Sequence, residues 1–500
     1  MSRSALIRRA TVAAIALLAT GALTGCYAQT GPYTDSITAT TATGHASVSC
    51  NGGSPNPCYY WFHVYKGQGA WTGAMDFPGW GAGGHGPITA NVSNASVPEN
   101  FSNLEPNSFY NYQLCGWGDA VSSVVCLGPG GGVPTQLFHT ALPIQPPAQS
   151  SPIVQAVAPC TTDPASGDPI SDNALGSGDY ILTLPSTPLG CALGINGGNN
   201  VVVTGGEITV PLGADWAACV TQGGTTTPDY TACQNEISSG KTCASCHAGI
   251  VLDGSTKHIW LEGLKLDGPG LGDGIVINDS LAGQEVDLIN TRIDGLNTPD
   301  AFAVECQMYG VCAQTVGGLG APAYVHPDCI ATEMGPAVLK VDGMTCTTDY
   351  FGFQFSPYGF QCTGGAGVPA GCVKNQPPIQ PNMSLSRVNI TDDCLPNDGS
   401  GCGFTRDMMW INLQNAVNGI VPSGATVPQI TTTDVWPTVG GYGQSQSQWL
   451  CALNQVSTDC STLPGWPWNL QGNPAQGDFV PDSPGVGAAG IGYVTPGATQ

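Results

Sequence analysis

A five-residue frame returns four times in the second half of this chain. It reads "LKLDG" at 264–268, "TRIDG" at 291–295, "LKVDG" at 339–343 and "SRVNI" at 386–390. Each copy has a small or aliphatic residue, a cation, an aliphatic residue, and then Asp or Asn. The chain holds only 12 Lys and Arg in 500 residues, so four of them in one frame need a structural reason. The cations Lys265, Arg292, Lys340 and Arg387 lie 27, 48 and 47 residues apart. A 27-residue step suits one coil of a solenoid, and the longer steps suit a coil that carries an extruded loop. Loops at 297–325 and 357–381 take up the difference, each with its own close Cys pair.

The surrounding pattern agrees. From about 155 to 425, short aliphatic runs such as "NNVVVTGGEITV", "DGIVIND" and "MMWINLQ" are separated by Gly, Asn, Asp and Pro. Helical spacing is absent, so the runs read as short strands with turns between them. A sandwich gives no reason for one frame to recur, whereas stacked coils do. Side chains alternate along a strand, which turns Leu266, Ile293, Val341 and Val388 inward. Lys265 with Asp267, Arg292 with Asp294, Lys340 with Asp342, and Arg387 with Asn389 then face outward. Coils stack about 4.8 Å apart, so a cationic ladder is expected beside a mostly acidic one. As a surface feature, those ladders form a salt-bridge network closed by Asp-Gly turns.

The region resembles the pectate-lyase-like right-handed parallel β-helix superfamily, in repeat style over roughly 270 residues. "DGIVI" (273–277) and "HPDCIAT" (326–332) are similar to that family's coil starts, although Ala331 stands where many relatives carry a polar residue. The Arg-x-Pro-x-x-Arg, Asn-Thr-Asp and Gly-His-Gly motifs of pectate lyases and polygalacturonases are not found. The resemblance therefore implies the fold, and action on a polysaccharide, without naming one activity.

Residues 32–141 read as a separate β domain. "YYWFHVYKG" is a dense aromatic strand, and Leu104, Pro106 and Tyr110 in "NLEPNSFYNYQL" resemble the tyrosine corner of fibronectin type III domains. A Pro-rich linker, 142–154, separates it from the coils. The expected fold class is thus all-β: a right-handed parallel β-helix (155–425) with an N-terminal fibronectin III-like β-sandwich. Residues 426–500 are expected to form a C-terminal cap and flexible tail, punctuated by Trp436, Trp449, Trp466 and Trp468.

The first 25 residues carry Arg3, Arg8 and Arg9 followed by an apolar run too short to span a bilayer stably, which reads as a signal peptide. It ends in "LTGC", which resembles the bacterial lipobox, whose Cys26 would carry lipid and anchor the protein at the cell envelope. Of the 21 Cys, 20 remain after Cys26, an even number suited to disulfides in an oxidising compartment. Close pairs such as Cys115/Cys126 and Cys394/Cys402 suggest small stapled loops. The formal charge of −23 excludes nucleic acid as a partner, because phosphate neutralisation needs cations. It also disfavours a bare polyanionic substrate unless Ca²⁺ bridges the two. The expected partners are a polysaccharide and, through lipid, a membrane; the expected state is a monomer.

Three constellations carry chemistry. Hydrolysis of a glycosidic bond needs two carboxyl groups, about 5 Å apart for retention and about 6.5–9.5 Å for inversion. Asp294 and Asp342, on successive frames, are the first candidates. "HPDCIATE" supplies His326, Asp328 and Glu333, either for acid–base work or, for His326 with Asp328, as metal ligands. Arg292, Lys340, Tyr350 and Tyr358 are the candidate substrate-binding side chains. In a polysaccharide lyase, Lys340, Arg292 or a His would instead remove a proton beside a carboxylate held by cations or Ca²⁺. A non-catalytic glycan-binding or adhesion module is the third reading. "CASCH" (Cys243, Cys246, His247) has the c-type haem attachment pattern. It is disfavoured, because nearby Cys219 and Cys233 offer disulfide partners and no second axial ligand is indicated.

Overall fold

The computed structural model describes residues 26–50, 58–66, 75–77, 86–88, 92–117, 125–127, 136–162, 169–211, 248–253, 257–268, 270–278, 284–296, 328–332, 336–348, 352–355, 382–392, 409–411, 429–438, 452–453, 474, 478–482 and 488–496. Among them every regular element is a strand. The signal segment, both expected loops, His326, Glu333, Tyr350, Tyr358 and the Cys243/Cys246/His247 motif lie outside the described residues. The chain folds as two compact units, Met1–Pro143 with Gly497–Gln500, and Ile144–Pro496.

In the first unit one sheet holds β1 (Cys26–Asp35), β2 (Ala42–Cys50), β6 (Val92–Ser96) and β7 (Glu99–Phe101). The other holds β3 (Cys58–Lys66), β4 (Met75–Phe77), β5 (Gly86–Ile88), β8 (Phe109–Trp117), β9 (Val125–Leu127) and β10 (Gln136–His139). All pairings are antiparallel. Tyr60, Phe62 and Val64 alternate along β3 into a core shared with Val48, Phe101 and Tyr112. The Phe62 and Phe101 rings meet edge to face with centroids 5.4 Å apart, the arrangement the ring quadrupoles favour. The Glu105 N–H donates to the Tyr110 hydroxyl at 2.8 Å, tying β8 to the turn before it.

In the second unit an eight-stranded sheet runs β11 (Ile153–Ala156), β14 (Tyr180–Thr183), β16 (Asn200–Thr209), β18 (His258–Asp267), β20 (Glu285–Leu296), β22 (Val338–Thr348), β24 (Asn382–Asp392) and β26 (Gln429–Thr438). A nine-stranded sheet runs β12 (Thr161–Thr162), β13 (Pro169–Leu175), β15 (Ala192–Gly197), β17 (Ala248–Asp253), β19 (Asp273–Asn278), β21 (Ile330–Thr332), β23 (Phe353–Phe355), β25 (Met409–Ile411) and β27 (Ala452–Leu453). Only β12–β13 is antiparallel. From β13 onward the chain alternates between the sheets, so each successive pair of strands adds one tier to both. Parallel pairing continues past residue 425 through β26 and β27, and Trp436 lies in β26 rather than in a tail.

Aliphatic side chains stack in register through the tiers. Val201, Ile259, Val286, Leu339, Met383 and Ile430 form one such column, and all are core residues. Burying each contributes on the order of 1.5–3 kcal/mol. The "DGIVI" and "HPDCIAT" starts also stack, with Ile275 beside Ile330. The described disulfides are Cys160–Cys191 and Cys329–Cys346, neither of them a short-loop pair. Cys329 and Cys346 both sit within the core. Cys115 is also disulfide-bonded, and Cys126 is its cross-strand neighbour.

The long strands share one further device. Gly205, Gly263, Asn290, Gly343, Arg387 and Asp434 all have positive φ, and the pairing registers put them at one level of the sheet. Each long strand is therefore bent at the same point, and its inward alternation slips there by one residue. In β18 the core residues are Ile259 and Leu261 before Gly263, then Leu264 and Leu266 after it. Asn and Asp tolerate this conformation, whereas Arg387 is held there against its preference.

Candidate functional site

The inward positions of the frame agree with alternation: Leu266, Ile293, Val341 and Val388 are all buried. The ladders do not form. Lys265 stacks beside Arg292, but Arg292 then stacks beside Thr345 and Asn389. Lys340 lies five residues earlier on its strand, beside Asp287. The physical reason is the bend. It gives each tier two outward stretches, and the frame fills the later stretch in β18 and β20 but the earlier one in β22.

This separates the expected carboxylate pair. Asp342 is level with Ile289, five residues from Asp294 along β20, a backbone path of roughly 16 Å at about 3.3 Å per residue. Asp342 is buried and ion-paired with the equally buried Arg387. Asp294 accepts from Arg292 Nε at 2.7 Å. Asp328 is fully buried two residues before β21, and its N–H donates to Asp273 Oδ1. Neither Asp342 nor Asp328 can meet a polysaccharide from these positions.

A second reason removes the later stretch from access. Residues 478–482 and 488–496 lie as a strap over the outside of the bent strands. Val480 N–H donates to Thr345 Oγ1 at 3.0 Å, and Arg292 donates to Asp478 Oδ2 and to the Val480 carbonyl. Lys265 donates to Asp482 Oδ1 at 2.8 Å. Gly490 exchanges backbone hydrogen bonds with Gly206 and Gly263. The Tyr493 ring lies against Gly263, where a Cβ would fall 2.3 Å from it. Its hydroxyl donates to Glu262 Oε1 and accepts from Asn290. The tail is thus a lateral brace.

The Lys265 ammonium holds the Asp482 carboxyl below its ordinary value of 3.8. Asp482 therefore favours the docked strap fully above the undocked pKa, and that contribution is lost as pH falls through the lower docked one. Hydrogen exchange at Gly490 N–H should stay protected from neutrality down to about pH 4 and lose protection below it. Protection that does not weaken at any pH below about 4 would remove Asp482 from the latch.

The earlier outward stretch leaves three ionisable side chains partly open to solvent around one buried carboxylate. His258 begins β18, Glu285 begins β20 beside it, and Asp287 lies two residues on, between Trp260 and Lys340. His258 Nε2 donates to Asp287 Oδ2 at 2.7 Å. Lys340 donates to Glu285 and stands 3.8 Å from Asp287 Oδ1. One ligand-type atom each from His258, Glu285 and Asp287 falls within 4.8 Å of the others. Side-chain exposure is 20% for His258, 28% for Glu285 and 38% for Lys340, against 3% for Asp287. Asp287 thus lies beneath the cluster and orients His258, while the other three are partly open to solvent.

Burial pulls the Lys340 pKa down, but Glu285 and Asp287 outweigh it and hold the ammonium above its usual value. Burial opposes Arg292 in the same way, and Asp294 and Asp478 again prevail. Both shifts favour the protonated side chains.

Lys340 is the one sequence-derived candidate in this cluster; His258, Glu285 and Asp287 were missed. The signal was present. Glu285 follows His258 by the same 27 residues that separate Lys265 from Arg292, as does Asp287 from Trp260.

No protein-family model and no curated protein matches the chain. Among solved structures, the sensor domain of the anti-sigma factor RsgI4 from Pseudobacteroides cellulosolvens matches at 14% identity and a TM-score of 0.16, over 23% of this chain and 93% of that one. Its solution structure matches at 13% identity and a TM-score of 0.17, over 26% and 92%. Scores this low bear on neither fold nor function here.

Proposed function

We propose that the chain is an exported, lipid-anchored surface protein that hydrolyses a neutral or weakly charged polysaccharide. In this reading the second unit is a right-handed parallel β-helix. The alternation of strands between two parallel sheets and the repeated bend support it. The first unit is a fibronectin III-like spacer, supported by the Glu105–Tyr110 bond. Export is supported by the disulfides and the "LTGC" sequence at Cys26.

The observation that carries the reading is the placement of Glu285 and His258 side by side on the outer face. Glu285 is the open carboxylate, held by Lys340; His258 is the open proton donor, oriented by Asp287. Their spacing is nearer the roughly 5 Å of a retaining pair than the wider gap that admits a water between them. Glu285 attacks the anomeric carbon while His258 gives a proton to the departing glycosidic oxygen. Water then releases the sugar from Glu285 and returns a proton to His258. The −23 charge supports a neutral rather than a polyuronate substrate.

A panel of neutral and acidic glycans tests this. The expected result is new reducing ends from a neutral member without ultraviolet absorbance. Products absorbing through a new double bond would establish a lyase, and binding without cleavage would establish a glycan-binding module; either outcome rejects hydrolysis.

A further inference from the structure

We infer that His258, Glu285 and Asp287 form a binding site for a first-row divalent cation of the Zn²⁺ type, with Lys340 as the internal cation that the metal displaces. Two observations stand independently. The three side chains already bring one nitrogen and two carboxylate ligand atoms within 4.8 Å of one another, so small side-chain movements would close them on an ion with bonds of about 2.0–2.2 Å. Asp287, at 3% exposure, also has an Oδ1 with no hydrogen-bond donor. A buried carboxylate oxygen without a donor is costly unless a positive charge faces it. Here that oxygen faces the gap where Lys340 Nζ approaches to 3.8 Å, too far for a hydrogen bond.

The charges agree. Ligation needs the imidazole neutral, and the two carboxylates that remain carry −2, which one divalent ion balances fully. Lys340 is 38% exposed, so its ammonium can swing into water when an ion enters. The donor set selects the ion. Imidazole with carboxylates suits Zn²⁺ or Mn²⁺, whereas Ca²⁺ prefers an all-oxygen shell with more ligands. The site shares Glu285 with the proposed hydrolytic reaction, and on that reading a bound ion would withhold Glu285 from attack. Ion binding itself does not depend on that reading.

The test is calorimetric titration of the metal-stripped full chain with ZnCl₂, MnCl₂ and CaCl₂ at neutral pH, with no glycan present. The expected result is one Zn²⁺ per chain, abolished or weakened at least ~10-fold in Asp287→Asn. Lys340→Met, at a partly exposed position, should tighten binding by about 10-fold by removing the competing charge. Binding that survives Asp287→Asn unchanged would place the ion elsewhere, for example on cysteines, and overturn the inference. So would a Lys340→Met variant that binds no tighter, or tighter binding of Ca²⁺ than of Zn²⁺. Because no glycan is used, loss of the metal site and loss of the hydrolytic reading are separate results.

Discussion

Glu285→Gln should lower reducing-end release at least ~100-fold while leaving the melting temperature nearly in place. The amide keeps the size of the side chain and one acceptor oxygen for Lys340, but it cannot attack a sugar carbon. The ion pair it loses is partly exposed and contributes well under about 1 kcal/mol. Asp287→Asn should also slow the reaction. It should do so by altering the pH profile, because Asp287 acts through the orientation of His258 and touches no substrate. A Glu285→Gln protein with full activity would remove the cluster from catalysis. A fall in activity matched by a fall in melting temperature would make Glu285 a structural residue only.

Arg387→Met should destabilise the second unit by about 3–5 kcal/mol, read as a lower urea midpoint with unchanged slope. Arg387 and Asp342 are each 8% exposed and paired with one another. Removing the guanidinium takes the principal counter-charge from a buried carboxylate. Asp342→Leu in the Arg387→Met background should recover most of that loss, since a matched apolar pair needs no counter-charge. Activity per folded molecule should not change in either protein. A single-variant cost below about 1 kcal/mol, or loss of activity in the stable double variant, would restore Asp342 as a functional candidate.

These two variants mark where sequence reasoning succeeded and where it failed. Inward alternation was legible because it is local: Leu266, Ile293, Val341 and Val388 needed only their neighbours to be assigned. The 27-residue step was also legible, because one whole coil, β19 included, fits within it. The step to Lys340 was misjudged by five residues. Loop length is free, and the same in-out alternation ending in a glycine of positive φ occurs on both sides of the bend, as at Gly268 and Gly343. Nothing local to "LKVDG" says which side it occupies. The strap was illegible for another reason. Asp478, Asp482 and Tyr493 have unremarkable neighbours in sequence, and their meaning comes from partners far away. Glu285 and Asp287 could have been found by carrying the 27-residue rule upstream from the cations to His258 and Trp260.

The strap has a consequence for how the chain reaches this state. A stack of tiers held only by neighbours can assemble from any point and lose its ends piecemeal. Here Tyr493 meets Glu262 across 231 residues, and Asp482 meets Lys265 across 217. Glu262 gains the hydroxyl of Tyr493 only after the 231 residues that follow it have emerged. A later segment therefore seals an earlier one, and a chain cut short before Asp478 would leave the flank of its tiers open to water, to other chains and to proteases.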